Sequence, residues 1–155
     1  ISFIVQFPEY TELVQEMTAL VKEEISHFKM VHDKILARGW VLGRDRKDEY
    51  VNKLMTFFPK GGSRTEFLVN RLLYAALIEA RSCERFRLLS QELKEEELRE
   101  FYRNLMVSEA NHYTMFLGFA RKYQDVAVVN KKWQDLLEFE AQIMKDLGKQ
   151  ETIHG

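Results

Sequence analysis

The sequence contains few of the residues that interrupt helices or form cross-links. Its 155 residues include only two prolines and seven glycines. That composition leaves little room for many tight turns and favours long helices. The single cysteine, Cys83, excludes an internal disulfide and is typical of a reducing compartment. We therefore expect a helical, cytoplasmic protein.

Long apolar runs are absent as well. No run reaches the roughly 18 residues that a membrane span needs, and no secretion signal is visible. Apolar residues make up 46% and charged residues 30% of the chain, as in ordinary globular proteins. We expect a single domain over residues 1–155 without membrane contact, ending in a polar tail at 148–155. Because the first residue is Ile1 rather than Met, we also expect residues upstream.

Charge is distributed unevenly along the chain. The net charge is -1, but residues 34–64 hold eight Lys/Arg against three Asp/Glu, a local charge of +5. A basic segment on an otherwise acidic protein can hold a polyanion. It can equally be a solvated, solubilising connection. Charge alone leaves both interpretations open.

Apolar spacing and end signals predict a series of helices. A capping box, Ser63-Arg64-Thr65-Glu66, marks the start of one of them, and Gly39 marks the end of another. The predicted elements are a helical end at 1–6, a helix from Pro8 to about Arg38, a connection at 39–62 with a short helix at 48–58, a helix from Ser63, a helix from Glu95 to about Tyr123, and a helix at 126–147.

Acidic and imidazole side chains interrupt the apolar stripes of three of these helices. Glu109 and His112 lie three residues apart, which is about 60° around a helix and about 4.5 Å along it, so both can bind one ion. Glu24 and His27 repeat this spacing 85 residues earlier. Glu79 interrupts the stripe of a third helix. Two such Glu-x-x-His helices, each joined to a helix with an inward Glu, form the ligand pattern of dimetal four-helix bundles.

The pattern predicts a dimetal site rather than a hydrogen-bonded polar core, because half-satisfied buried polar clusters are unfavourable. Three carboxylates carry less charge than two divalent ions, so we expect a fourth, one or two turns before Ile1. Nitrogen and oxygen ligands with open positions suit iron that binds oxygen. The predicted metal ligands, which are also the predicted catalytic residues, are Glu24, His27, Glu79, Glu109 and His112.

Polar residues near Glu79 allow two interpretations. Cys83, one turn later, can face the site or be a packed thiol. Arg81, Glu84 and Arg85 can support the ligands or form ion pairs on the helix surface.

One string of residues carries a family resemblance. Glu79-Ala80-Arg81-Ser82-Cys83-Glu84-Arg85-Phe86, with Ser108–Tyr113 and Glu23–Phe28, resembles the bacterial tRNA hydroxylases that oxidise the isopentenyl group of 2-methylthio-N6-isopentenyladenosine beside the anticodon. The similarity covers nearly all of residues 1–147. The resemblance implies an all-α, ferritin-like four-helix bundle followed by a C-terminal helix. It also implies that the first helix of the bundle is largely missing from this sequence. It also implies a non-haem di-iron monooxygenase with two iron ions, O2 as co-substrate, an external electron donor and tRNA as substrate, with the five residues above as ligands.

The resemblance suggests a role for the basic segment. Its cations can contact tRNA phosphates, which position an RNA without reading its sequence. Trp40, Phe57 or Phe58 can stack on a loop base. The candidate phosphate contacts are Lys34, Arg38, Arg44, Arg46, Lys47, Lys53, Lys60 and Arg64.

Two other classes of function stay open at this point. One is a different ferritin-like metal protein, for iron storage, peroxide removal or manganese catalase chemistry. The other is a metal-free helical interaction module. Measuring the metal content of the protein distinguishes a metal-free interaction module from a metal protein. Assembly into a large shell would identify an iron store.

Overall fold

The structure is a computed structural model that describes residues 1–44 and 48–147. Over these ranges it contains α-helices and no β-strand, and none of the described helices is long and apolar enough to cross a membrane. Contacts divide the chain into two compact units, Ile1–Arg46 and Lys47–Gly155. The helices are α1 Ser2–Gln6, α2 Thr11–Ala37, α3 Glu49–Met55, α4 Arg64–Glu92, α5 Glu96–Tyr123 and α6 Val126–Leu147.

The predicted helices are confirmed, with two corrections at their ends. Helix α2 begins at Thr11 rather than in the turn of Pro8, because a turn closed by the Tyr10 N–H on the Phe7 carbonyl (3.2 Å) precedes it. Helix α3 ends at Met55 rather than at residue 58. The chain continues as turns after Met55, where the Phe57 N–H donates to the Leu54 carbonyl at 3.1 Å and the Phe58 N–H to the Met55 carbonyl at 3.4 Å. Pro59 then disfavours the helical conformation at Phe58. The polar tail at 148–155 lies outside the described residues, and the single-domain prediction stays a prediction.

Unit 1 contains α1 and α2, which pack on each other. Phe7 and Leu13 are fully buried, and the rings of Phe3 and Phe7 lie 6.3 Å apart. Gly39 ends α2 with a φ of +72°, donating to the Leu36 carbonyl, while the Trp40 N–H donates to Ile35. This pair of bonds is the Schellman arrangement, for which glycine is favoured because it has no Cβ.

Unit 2 is organised around α4 and α5, which pack along each other and are joined by a short connection. The predicted capping box is present at the start of α4. The Ser63 hydroxyl accepts from the Glu66 N–H at 3.1 Å, and the Glu66 carboxylate accepts from the Ser63 N–H at 2.7 Å. Fully buried residues along α4 form the core of this unit: Leu68, Val69, Leu72, Leu73, Ala76 and Leu77. Burying each large aliphatic side chain contributes about 1.5–3 kcal/mol.

A buried polar network joins three helices of unit 2. The Tyr50 hydroxyl of α3 donates to Glu140 of α6 at 3.1 Å, and the Arg81 guanidinium of α4 pairs with the same carboxylate oxygen at 3.1 Å. Burial, and next the charge of Glu140, raise the pKa of Tyr50 well above its usual range. Arg81 also pairs with the more exposed Glu84 at 2.6 Å. Arg81 therefore forms one ion pair with α6, through Glu140, and one within α4, through Glu84.

Replacing Glu140 with Ala should lower the free energy of unfolding by about 2 kcal/mol, because it leaves the buried Tyr50 hydroxyl without its acceptor and the half-buried Arg81 charge without its less exposed partner. Glu84→Ala is the matched control, since it removes the half-exposed partner of the Arg81 guanidinium. It should lower the free energy of unfolding by less than about 1 kcal/mol. Urea unfolding followed by circular dichroism measures both. Equal losses in the two variants would contradict the importance of the buried pair.

Candidate metal centre

Helices α4 and α5 bring Glu79, Glu109 and His112 together in unit 2. One ligand atom of each of these side chains lies within 4.8 Å of the other two. Glu109 and His112 are only 6% and 5% exposed, and Glu79 is half-buried. Two carboxylates and an imidazole at this spacing form a donor set for a hard or borderline metal such as iron or manganese. These residues are called the α4–α5 cluster below.

The apolar pattern of the two helices explains the position of the cluster. On α5, the buried residues Leu105 and Phe116 continue the same face on either side of Glu109 and His112. On α4, Glu79 follows the buried Ala76 by one turn. Because a helix face repeats every three to four residues, packing the apolar stripes together turns these polar residues inward.

The electrostatics of the α4–α5 cluster favour a bound cation. Carboxylates that lie this close in a buried site repel each other unless positive charge lies between them. The effect reaches Cys83, one turn after Glu79, where burial and then the charge of Glu109 raise the pKa of the thiol. Cys83 itself is half-buried.

The second predicted ligand pair, Glu24 and His27, lies on α2 in unit 1. The His27 Nδ1 atom is 3.6 Å from a Glu24 carboxylate oxygen, and His27 Nε2 is 3.8 Å from Glu23. The two side chains thus share one helix face, as their spacing predicted. That this pair and the α4–α5 cluster bind the same two ions stays a prediction from the sequence pattern.

The candidate tRNA contacts lie on exposed or half-exposed positions wherever the structure describes them. Arg44, Lys60 and Arg64 are exposed, whereas Arg38 is half-buried and donates to the Lys34 carbonyl at 3.2 Å. Arg46 and Lys47 lie outside the described residues.

The three aromatic candidates for stacking differ in exposure. Trp40 is exposed. Phe57 and Phe58 are half-buried and pack edge to face on each other, with ring centroids 5.2 Å apart. Trp40 is therefore the most accessible of the three rings.

A cavity in unit 2 was not predicted from the sequence. It has a volume of about 930 Å³ and lies between the end of α3 and the first half of α4. We call it the α3–α4 cavity. The signal that indicates it is the spacing of aromatic and polar residues on one face of α4. Its lining residues are Met55, Thr56, Phe58, Pro59, Lys60, Gly61, Phe67, Asn70, Arg71 and Tyr74.

The sequence matches a family model and two curated relatives. The model, described as tRNA-(MS[2]IO[6]A)-hydroxylase (MiaE), matches residues 1–155. A protein of Pseudomonas putida is 35% identical over 127 residues, which is 82% of this chain and 60% of that protein. One of Salmonella typhimurium is 35% identical over 111 residues, 72% of this chain and 40% of that protein. Both are named tRNA 2-(methylsulfanyl)-N(6)-isopentenyladenosine(37) hydroxylase. The chain thus spans 60% and 40% of these relatives' lengths.

A solved structure supports the fold. It is named protein 43 with aldehyde deformylating oxygenase activity, from Synechococcus. It superposes with a TM-score of 0.88 at 26% identity, covering 97% of this chain and 73% of that chain. The all-α, ferritin-like fold predicted from the sequence is confirmed. Because the family model matches residues 1–155 of this chain, the chain belongs to the tRNA-(MS[2]IO[6]A)-hydroxylase (MiaE) family.

Proposed function

We propose that this protein is a non-haem di-iron monooxygenase that hydroxylates the isopentenyl group of a hypermodified adenosine in the tRNA anticodon loop. The observation that carries the proposal is the buried α4–α5 cluster in a chain of this family. The two relatives named for this activity match the chain at 35% identity over 127 and 111 residues. A tRNA substrate also supports a cytoplasmic location.

The donor set fits iron. Glu79 and Glu109 supply negative charge, and the His112 imidazole supplies a neutral nitrogen ligand. A bound pair of iron ions would supply the electrons for reductive activation of O2, with an external donor restoring them. The protein's own part is to hold the donors on two packed helices. Buried neighbours such as Leu105 and Phe116 keep bulk water away from them.

Glu24 and His27 are proposed as further ligands. They present the same pair of donor types as Glu109 and His112, one turn apart on a helix. Together the two pairs and Glu79 provide three carboxylates and two imidazoles, the set that the dimetal pattern requires apart from one more carboxylate. The support for this assignment is the repeated motif and the family membership.

The proposed reaction is tested by nucleoside analysis of tRNA from cells with and without the gene. Loss of the hydroxylated adenosine, with accumulation of its unhydroxylated precursor, is the expected result. Return of the hydroxylated form on expression of the intact gene completes the test. Unchanged nucleosides in the deleted strain would reject the proposed reaction.

Replacing His112 with Ala should lower the affinity for Fe(II) by about tenfold or more, because even indirect partners of metal ligands are worth 10- to 100-fold. His32→Ala is the matched control, since His32 also lies on a helix and its ring stacks on Phe28. Iron content after anaerobic loading, measured by elemental analysis, compares the two variants. Full iron retention in the His112 variant would remove this residue from the ligand set.

Replacing Arg44 and Arg46 together with Glu should weaken tRNA binding and flatten its dependence on salt, because the variant neutralises fewer phosphates and so releases fewer counterions on binding. The matched control is the same double charge reversal at Arg87 and Arg103, outside the basic segment. Filter binding at several salt concentrations gives both the affinity and the slope. An equal effect in the control pair would indicate general electrostatics rather than a contact surface.

A further inference from the structure

The α3–α4 cavity opens on a face of α4 that differs from the face of the metal cluster. Phe67, Asn70, Arg71 and Tyr74 follow the spacing i, i+3, i+4, i+7, so they share one side of the helix. Glu79 comes five residues after Tyr74, which is about 140° around the axis and about 7.5 Å along it. The cavity lining and Glu79 therefore lie on different sides of α4, so the cavity suits a different ligand or a different part of the substrate.

The aromatic lining of the cavity suits a flat ring. The Phe58 and Tyr74 rings meet nearly perpendicularly, with centroids 6.3 Å apart. Phe67 stands at the rim, 46% exposed, and the Arg71 guanidinium lies over its ring at 5.8 Å. Aromatic and guanidinium planes are the surfaces on which unpaired nucleobases stack in RNA-binding proteins.

The charge of the lining suits a phosphate. Among the residues that line the cavity, Lys60 and Arg71 are basic and none is acidic. Lys60 lies on the turn after α3, within the segment whose net charge is +5. Guanidinium and ammonium groups bind phosphate oxygens through charge-assisted hydrogen bonds. An apolar ligand without an anionic group would not use these cations.

A buried amide adds hydrogen-bonding capacity at the inner wall. Asn70 is 5% exposed, and its side-chain oxygen accepts a hydrogen bond from Lys132 Nζ at 2.6 Å. This bond orients the amide, with the oxygen toward the lysine and the NH2 group away from it. An oriented NH2 group is a donor for the ring nitrogens and carbonyl oxygens of a nucleobase.

We propose that the α3–α4 cavity binds one unpaired nucleotide of the tRNA, separate from the adenosine that is modified. The base lies against Phe58, Phe67 and Tyr74, and its phosphate pairs with Lys60 and Arg71. The cavity volume lies within the usual range for small-ligand sites. The inference rests on the proposed function, which makes tRNA the substrate. The cavity then acts as a second anchor that helps to position the anticodon loop.

The test measures binding of a fluorescently labelled anticodon stem–loop RNA to the purified protein by anisotropy. The variants are Phe67→Ala and Arg71→Gln. Their matched controls on the same helix are Leu88→Ala, 47% exposed, and Arg87→Gln. The cavity variants should weaken binding by roughly fivefold or more, since a base stacked on an aromatic ring contributes this much. The controls should change it by less than about twofold.

A blunt-ended duplex RNA of the same length serves as the second probe. It offers no unpaired base, so the cavity variants should bind it about as well as the unmodified protein does. Thermal melting checks that the variants fold, and Lys60→Gln on the exposed turn replaces Arg71→Gln if that variant melts early. Unchanged stem–loop affinity in the cavity variants overturns the proposal. A change in self-association without a change in RNA affinity also overturns it, because the cavity is then an interface between copies.

The outcomes separate this inference from the proposed function. If cells lacking the gene still contain the hydroxylated adenosine, the proposed function fails and the inference fails with it. If the hydroxylated adenosine disappears from those cells while the cavity variants bind the stem–loop normally, only the assignment of the cavity fails.

Discussion

The repulsion between two neighbouring carboxylates, the buried Glu109 and the half-buried Glu79, is the constraint on which the candidate centre depends. Glu79 and Glu109 lie on neighbouring helices with ligand atoms within 4.8 Å of each other and of His112. Two like charges this close are unfavourable unless a cation lies between them. The close packing of α4 on α5 holds the side chains in place against that repulsion. A bound cation would therefore stabilise the protein at this cluster.

Helix α4 serves three purposes through two of its faces. One face carries Glu79 toward α5. The other carries the residues that line the α3–α4 cavity and, seven residues after Tyr74, Arg81, which pairs with Glu140 of α6. The Tyr50–Glu140–Arg81 network joins α3 to α6 and α4, so it also holds α3, whose end forms one wall of the cavity. Loss of the Arg81–Glu140 ion pair is therefore expected to affect the position of the cavity wall that α3 forms.

Family membership and geometry support the proposed function in different ways. The family model matches the whole chain and establishes descent, whereas the α4–α5 cluster shows that this chain carries buried donors suited to a metal. The structural relative from Synechococcus is itself named for an oxygenase activity. Fold alone does not determine a reaction, so the assignment to tRNA hydroxylation depends on the family and on the donor set together.

The sequence by itself determined the helical class, most helix ends, the Glu-x-x-His pairs and the family, because capping, glycine turns and apolar spacing depend on residues close together in the chain. The capping box at Ser63 and the Gly39 turn are examples. Only the tertiary structure decided that Glu140 is a buried partner of Arg81, and that Asn70 lines a cavity and accepts from Lys132. Those contacts join residues about 60 positions apart, and the sequence pattern of a single helix does not report which distant side chain lies opposite.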